Sequence, residues 1–451
     1  MIHTTTRRRF LQTTAAVATT SLLATRPRRT LGANGKLNHA AIGVGGMGRN
    51  DLNTIASHGE VHIAAICDVD RNHLNNAKKR YPEARVYTDW RELLDKEGDR
   101  IDSVNVSVPD HMHAIIGLAA VRRGKHIYCQ KPMCHDIAEV RSLTKAVADA
   151  GVVSQLGTQH ASGIGDRMGV HFIRQGVIGR IKRVLLCSNR SGIDQYRPAG
   201  PRPSHADPVP DHLDWDSWIG TAPMRDYVNG LYHPGLWRGW LDFGTGWLGD
   251  IGCHIFDAPW KALDLTAPRT VVAEVEESWV KSPERRADTW PRGQHVTWIF
   301  PGNERTDGDL TVEWFDGMYY PDKEIRDLVM QTEPNYPEEA AFFVGTEGSM
   351  LLRHGGGPIF FPRDRFRDIE RPRLPGQNHY HVFVDACLGK RETNSPFALS
   401  GPMTEAILLG TVALRVPGET LTWDAPAMRT NNDAANKFLR RTYRTGWEVQ
   451  M

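Results

Sequence analysis

From Leu37 to about Gln159 short apolar runs alternate with amphipathic stretches. The run from His39 to Val44 predicts a strand and Met47 to His58 a helix. Val61 to Cys67 is almost continuously apolar, the pattern of a strand covered on both faces. Asp70 to Arg80 is polar at helical spacing, with Asp70 placed to cap it. Val104 to Val108, Met112 to Arg123, His126 to Cys129, Ile137 to Ala150 and Val152 to Leu156 continue the alternation. Strand and helix taken in turn over this length predict a doubly wound parallel sheet, assigned to residues 36–160.

The texture changes after Gln159. Arg167 to Gln175 reads as a helix closed by Gly176 and Gly179, and Ile181 to Cys187 as a strand. Pro, Gly and Trp then dominate from Tyr196 to Trp247, a stretch long enough to expect a site or an interface in it. Val271 to Val280, Gln294 to Phe300 and Leu310 to Phe315 read as strands, and His379 to Leu388 and Thr404 to Arg415 as helices. Residues 161–451 are therefore expected to form a second α/β domain with an open, largely antiparallel sheet. Its last helix is free to pack back on the first domain.

Length agrees with two cores, because a single core stops growing near ~250 residues and the chain has 451. Fifty-five basic residues against 53 acidic ones, mixed along the chain, offer no field for a nucleic-acid backbone. Six arginines and no acid lie in residues 1–33, which read Thr6-Arg7-Arg8-Arg9-Phe10-Leu11 before a small and apolar run from Gln12 to Ala24. That run is too short and too rich in Thr and Ala to span a bilayer. It resembles a twin-arginine signal, which implies recognition by the twin-arginine export machinery and a place in the periplasm or cell envelope. Cys67, Cys187 and Cys387 sit in apolar segments, and Cys129 and Cys134 lack paired zinc-ligand spacing. No metal site is expected.

Gly43-Val-Gly45-Gly46-Met47-Gly48 has the form Gly-x-Gly-x-x-Gly, with a predicted strand before it and a helix after. The first glycine permits the tight turn, the second the approach of a pyrophosphate, and the third close packing of helix on strand. The next strand ends at Asp68, twenty residues after Gly48, where a carboxylate can accept from both adenosine ribose hydroxyls and repel a 2′-phosphate. NAD is expected in preference to NADP, although Arg71 lies nearby.

Lys131 follows a predicted strand at the carboxyl edge of the sheet, where such folds place ligands. Asp250 and His254 are four apart, so a helix would present both on one face and let the carboxylate orient the imidazole and raise its basicity. An ordinary helix-surface pair would look the same. His111 and His113 follow the fourth strand and read equally as ligand contacts or as the first turn of a helix capped by Asp110.

Gln130-Lys131-Pro132, Pro109-Asp110-His111-Met112-His113 and Gly249-Asp250-Ile-Gly252-Cys-His254-Ile-Phe-Asp257, with the glycine fingerprint, resemble the Gfo/Idh/MocA oxidoreductases over nearly the whole chain beyond the leader. Gln130 stands where that family has the Glu of Glu-Lys-Pro. The resemblance implies hydride transfer to or from a carbinol of a sugar, sugar acid or cyclitol, and a homo-oligomer. It implies His254 as acid or base, Asp250 as its partner, and Lys131 as the group that polarises the reacting oxygen. Gly43, Gly45, Gly46, Met47, Gly48, Asp68, Pro109, His113 and Lys131 are the expected cofactor contacts. Lys131, His233, Trp237, Arg238, Asp250 and His254 are the expected substrate contacts. Two other readings stay open: redox-neutral, NAD-assisted cleavage of a glycoside, and a sugar-binding protein that keeps NAD as structure.

Overall fold

The computed structural model describes residues 35–451; the leader lies outside them. Strands β1 (Leu37–Ile42), β2 (Val61–Cys67), β3 (Arg85–Tyr87), β4 (Ser103–Val106), β5 (His126–Cys129) and β6 (Ser154–Leu156) form one sheet in the order β3-β2-β1-β4-β5-β6. Every pairing in it is parallel. The crossovers are α1 (Gly46–Ala56), α2 (Arg71–Arg80), α3 (Trp90–Glu97), α4 (Asp110–Arg122) and α5 (Ile137–Ala150). Local chemistry sets their ends. The Asp70 carboxylate accepts from Asn72 N–H at 2.8 Å and Asp136 from Glu139 N–H at 2.9 Å, while Gly151 closes α5 at φ +61°.

After α6 (Ile164–Arg174) and β7 (Ile181–Ser188), the Trp-rich segment contains one short helix, α7 (Trp215–Ile219). It ends at α8 (Gly246–Ala262), the helix that carries Asp250 and His254. Next come β8 (Thr270–Val275), the short helices α9 (Glu277–Val280) and α10 (Pro283–Asp288), β9 (Gln294–Phe300), β10 (Thr306–Asp316) and α11 (Lys323–Met330). The chain then forms β11 (Glu339–Gly345), β12 (Ser349–Arg353), β13 (Pro358–Phe361), α12 (His379–Cys387), α13 (Phe397–Leu414), β14 (Leu421–Asp424), β15 (Arg429–Thr430) and α14 (Asp433–Asn436).

The second sheet has nine strands in the order β13-β12-β11-β7-β10-β9-β8-β14-β15, and only β7 with β10 is a parallel pair. The strand expected to run to Val280 ends at Val275, because its partner β9 begins at Gln294, the residue opposite Val275. The last long helix begins at Phe397, seven residues before the expected start at Thr404. It lies on α5 of the first domain, where a Cβ on Gly401 would stand 2.3 Å from the Thr144 hydroxyl, and on Trp298 of the second sheet. Among the described residues α13 alone is long and apolar enough to cross a membrane, and it is mostly buried in the protein core. Helix α12 packs on α1 through Tyr380, Phe383 and Val384. All six cysteines are unpaired thiols, five of them buried.

Candidate active site

The glycine turn is shaped for close approach. A Cβ on Gly43, at φ +85°, would stand 2.2 Å from the Ser107 carbonyl oxygen, and one on Gly48 would stand 2.2 Å from the Gly43 carbonyl oxygen. Helix α1 therefore abuts β1 and β4 as the third glycine requires, and its first turn has no side-chain cap. Gly46 is open above, since a Cβ there would meet nothing within 4 Å, and Met47 beside it is exposed. Asp68 accepts from Val44 N–H at 2.8 Å through Oδ2 and from Asp70 N–H at 2.9 Å through Oδ1, which ties the acid to the turn; His73 Nδ1 stands 3.5 Å from the same Oδ2, and Oδ1 keeps a lone pair. Pro109 stands at the start of α4, at the carboxyl end of β4. These residues fit a dinucleotide: a glycine turn over which only the His73 ring lies, 2.2 Å from where a Cβ on Gly45 would stand, helix N–H groups without a side-chain cap and a carboxylate one strand away.

At the end of β5, Lys131 is almost enclosed. Its ammonium donates to Asp250 Oδ1 at 2.6 Å and to the Asp250 carbonyl at 2.9 Å, while Arg238 Nε approaches the same Oδ1 at 3.3 Å. Burial works to raise the Asp250 carboxyl, but the Lys131 and Arg238 charges outweigh it and hold the group below its ordinary value of 3.8. Asp110, wholly buried at the start of α4, goes the other way. Burial first, then the Asp250 charge, pushes it up to about 7. Its Oδ2 accepts from the backbone and hydroxyl of Thr245, and its Oδ1 has no partner among the described residues.

The expected Asp250–His254 pair does not form. Although both residues lie on α8, Asp250 is taken by the two cations, and His254 Nδ1 is buried with no hydrogen-bond partner among the described residues. Burial, then the Lys131 charge, drives His254 well below 6.5, so its basicity is lowered where the spacing led us to expect it raised. Its ring instead meets His354 at 5.3 Å between centroids, and His354 meets His160 at 4.1 Å. Burial likewise depresses His354, to about 3, and lowers His160. At neutral pH the row is three uncharged imidazoles.

Three further expectations are corrected. His233 is not at the substrate centre: its Nε2 lies 3.0 Å from Asp70 Oδ2, at the start of α2, on the adenosine side of the turn. His113 is fully buried with Nδ1 and Nε2 each 2.7 Å from a carbonyl, of Pro132 and Val108, so it braces the Lys131 turn and has no nitrogen left for a cofactor. Trp237 is buried in an aromatic cluster with Trp215, Trp218, Tyr232, Trp240 and Phe243, and Arg238 lies 4.5 Å over its ring. It supports the guanidinium rather than offering a face to a sugar. His111 fastens the same cluster to α4, with Nε2 3.1 Å from the Trp218 carbonyl.

Sequence reasoning missed several polar residues. Asp51, on the inward side of α1, accepts from Gln130 Nε2 at 3.0 and 2.9 Å, from Ser107 Oγ at 2.7 Å and from Tyr380 Oη at 2.8 Å. This accounts for glutamine at 130: a glutamate there would set a second carboxylate against Asp51, which burial already raises to about 6. An acid between the apolar positions of α1 was the available signal. His160 and His354 carried none, because the row exists only after β6 and β12 are brought to one place.

Comparisons with known proteins agree with this geometry. Residues 37–158 match the NAD-binding Rossmann fold of the Gfo/Idh/MocA oxidoreductase family, and residues 169–295 match its C-terminal α/β domain, together more than half of the chain. Levoglucosan dehydrogenase of Pseudarthrobacter phenanthrenivorans is 27% identical over 210 residues, 46% of this chain and 43% of that protein. A glycosyl hydrolase family 109 protein of Stenotrophomonas maltophilia is 31% identical over 135 residues, 28% and 29% of the two chains. The matched stretches thus span less than half the length of these curated relatives. The dehydrogenase WlbA from Bordetella pertussis, solved in complex with NADH and UDP-GlcNAcA, shares the fold at a TM-score of 0.60 and 16% identity, over 86% of this chain and 99% of that one. With the glycine turn and the Lys131 turn at the carboxyl edge of one sheet, the α8 carboxylate bonded to Lys131, and both domain patterns matched in order, the chain belongs to the Gfo/Idh/MocA oxidoreductase family.

Proposed function

We propose that the protein is an NAD-dependent oxidoreductase acting on a carbinol of a sugar, sugar acid or cyclitol. One observation carries the reading: Lys131, at the carboxyl edge of the cofactor sheet, spends two of its three N–H donors on Asp250 and keeps the third for a substrate oxygen. When bound, the nicotinamide supplies the hydride acceptor. Lys131 then lowers the proton affinity of the carbinol oxygen, and Asp250 and Arg238 hold the ammonium in place. His254 Nε2, which has no hydrogen-bond partner among the described residues and borders a small gap beside His354, takes the hydroxyl proton as an uncharged imidazole. In reduction the same groups run in reverse.

The Trp-rich segment supports a retained cofactor. It pairs with the adenosine end through Asp214 N–H to Val69 O at 3.0 Å and Arg71 N–H to His212 O at 2.9 Å, and reaches the reacting end at Arg238. One stretch of chain thereby touches both the adenosine end and the reacting end of the expected cofactor site. With the twin-arginine-like leader this suggests export of the folded protein with NAD enclosed, its redox state restored within each cycle. The similarity to a family 109 glycosyl hydrolase favours one second reading, in which that cycle assists glycoside cleavage.

The test is a chase of bound NAD with labelled NAD, beside turnover without added cofactor and product analysis for ketone and cleaved sugar. Copurified NAD that exchanges more slowly than turnover is expected. Exchange faster than catalysis, with an absolute need for supplied NAD, would return the protein to a freely exchanging dehydrogenase. Absence of both products across a carbohydrate panel would leave only the binding-protein reading.

A further inference from the structure

Four parts of the chain converge on one carboxylate next to the Lys131 turn. Asp51 lies in α1, three residues after Gly48, and is wholly buried. Gln130 Nε2 donates to its two oxygens at 3.0 and 2.9 Å, Ser107 Oγ at 2.7 Å and Tyr380 Oη at 2.8 Å. These donors come from the residue before Lys131, from the end of β4 and from α12, and all three side chains are uncharged. Ser107 also meets the glycine turn, since its carbonyl is what a Cβ on Gly43 would strike. The carboxylate thus ties the seat of the dinucleotide to the turn that carries Lys131.

The direction of each proton is set by the surroundings. Ser107 Oγ accepts from Asn105 Nδ2 at 2.8 Å, and Tyr380 Oη accepts from Asn50 Nδ2 at 3.0 Å and Gln159 Nε2 at 3.2 Å, so both hydroxyls give their own protons to Asp51. Gln130 divides its amide: Nε2 serves Asp51, and Oε1 accepts from the Lys131 backbone N–H at 3.3 Å. The amide has no room to slide, because a Cβ on Gly157 would stand 2.8 Å from Oε1 and 2.9 Å from Cδ. It can only turn over. An ionised Asp51 accepts and cannot donate, so it keeps Nε2 on its own side and Oε1 on the side of Lys131. A protonated Asp51 has one hydrogen to give, and the Gln130 amide is the neighbour free to reverse. Nε2 then faces the Lys131 N–H, donor against donor.

We propose that Asp51 is a positioning residue for the reaction: its ionised carboxylate fixes the Gln130 amide and, through it, the backbone from which Lys131 reaches the substrate oxygen. The inference rests on the oxidoreductase reading and adds to it a residue that acts through Lys131. Burial, opposed by the hydrogen bonds from Ser107, Gln130 and Tyr380, raises Asp51 to about 6. Its titratable neighbours Tyr128, Cys129 and Tyr380 are pushed upward by burial and stay uncharged. Turnover therefore falls as the pH drops through about 6. Asp110, raised to about 7, also titrates in the cleft, but its partner is Thr245.

The experiment compares holoenzymes of wild type, Asp51→Asn and Tyr380→Phe, recording ketone formation from glucose, glucuronate and myo-inositol across pH, and deuterium exchange at the Lys131 backbone amide. Asp51→Asn should lower kcat roughly tenfold at pH 8, change KM by less than about threefold, and abolish the acid limb. Tyr380→Phe keeps the ring, and so the fold, but removes one donor from a charged acceptor; it should move the limb about one unit toward higher pH. A limb owned by Asp110 would stay in place. In a Lys131→Ala background Asp51→Asn should cost little further turnover. At pH 8 the Lys131 amide should exchange several-fold faster in Asp51→Asn, a readout that needs no turnover. A limb unmoved in Tyr380→Phe, a full further loss in the Lys131→Ala background, or unchanged exchange at Lys131 would overturn the proposal. Faster exchange with no ketone from any of the three compounds would keep the link from Asp51 to Lys131 and count against the oxidoreductase reading instead.

Discussion

Replacing Asp250 by Asn tests which neighbour the carboxylate serves. Its Oδ1 lies 2.6 Å from Lys131 Nζ and 3.3 Å from Arg238 Nε, and the Asp250 and Lys131 side chains are only 5% and 12% exposed. Removing the charge leaves two cations facing each other in a poorly solvated place, and breaking such a pair costs about 3–5 kcal/mol. Asn keeps one acceptor, so we expect a stability loss near the lower end, about 3 kcal/mol, and a fall in turnover of roughly 10²-fold as the ammonium loses its place. The pH dependence has a definite sign. A carboxyl held below 3.8 stabilises the fold above that value and loses the contribution as pH falls through its folded pKa, so wild type and variant should converge in acid. The assay is a pair of double-mutant cycles on turnover and on urea unfolding. Asp250→Asn with Lys131→Ala should be non-additive by about 1–3 kcal/mol, whereas Asp250→Asn with His254→Ala should add within about 0.5 kcal/mol. Strong coupling to His254 with additivity toward Lys131 would refute the assignment.

Other substitutions read other parts of the cleft. Gln130→Glu should destabilise the protein by about 2–4 kcal/mol at pH 8 and less at pH 5, where one of the two facing carboxyls takes a proton; equal urea midpoints at both pH values would contradict the Asp51 contact. Asp68→Ser should raise affinity for NADP relative to NAD on the order of tenfold in titrations of cofactor-free protein, by removing a charge beside the 2′-phosphate position. A carboxyl at about 8 in the fold and 3.8 unfolded gains a proton on folding between those values, so Asp166 should make the protein less stable as pH rises from about 4 to 8. In thermal melts Asp166→Asn should therefore exceed wild type at pH 9, with the gap closing toward pH 5.

The fold was legible where its signal is local. His126–Cys129 and Ile137–Ala150 are the segments their periodicity predicts, because burial on one side or two writes itself into neighbouring positions. Strand β3 and helix α3 left no such mark. β3 is three residues long at the sheet edge, with two of the three exposed, and α3 spans barely two turns. The glycine turn was legible for another reason: Gly43 and Gly48 answer backbone contacts made within one strand-turn-helix unit or with the adjacent strand, whereas Gly45 lies against the His73 side chain, a contact that its spacing did not show.

The site was legible only as a set of residues, because partner choice within it is a long-range competition. Spacing of four places Asp250 and His254 along one helix, and that much is geometry. It does not decide which donor the carboxylate takes. A lysine 119 positions away arrives at 2.6 Å with a full charge, and an arginine joins it, whereas an uncharged imidazole offers one weaker hydrogen bond. Burial first, and then the charge of Lys131, lower the proton affinity of His254, so the displaced partner is also the one least able to compete by becoming charged. The same logic separates His233 from the substrate cleft. Its nearness in sequence to Trp237 and Arg238 suggested one surface, but Asp70 at the start of α2 claims its Nε2 and ties the Trp-rich segment to the first domain there. In both cases the spacing identified a helix face or a segment, and a charge brought from another part of the chain determined what that side chain does.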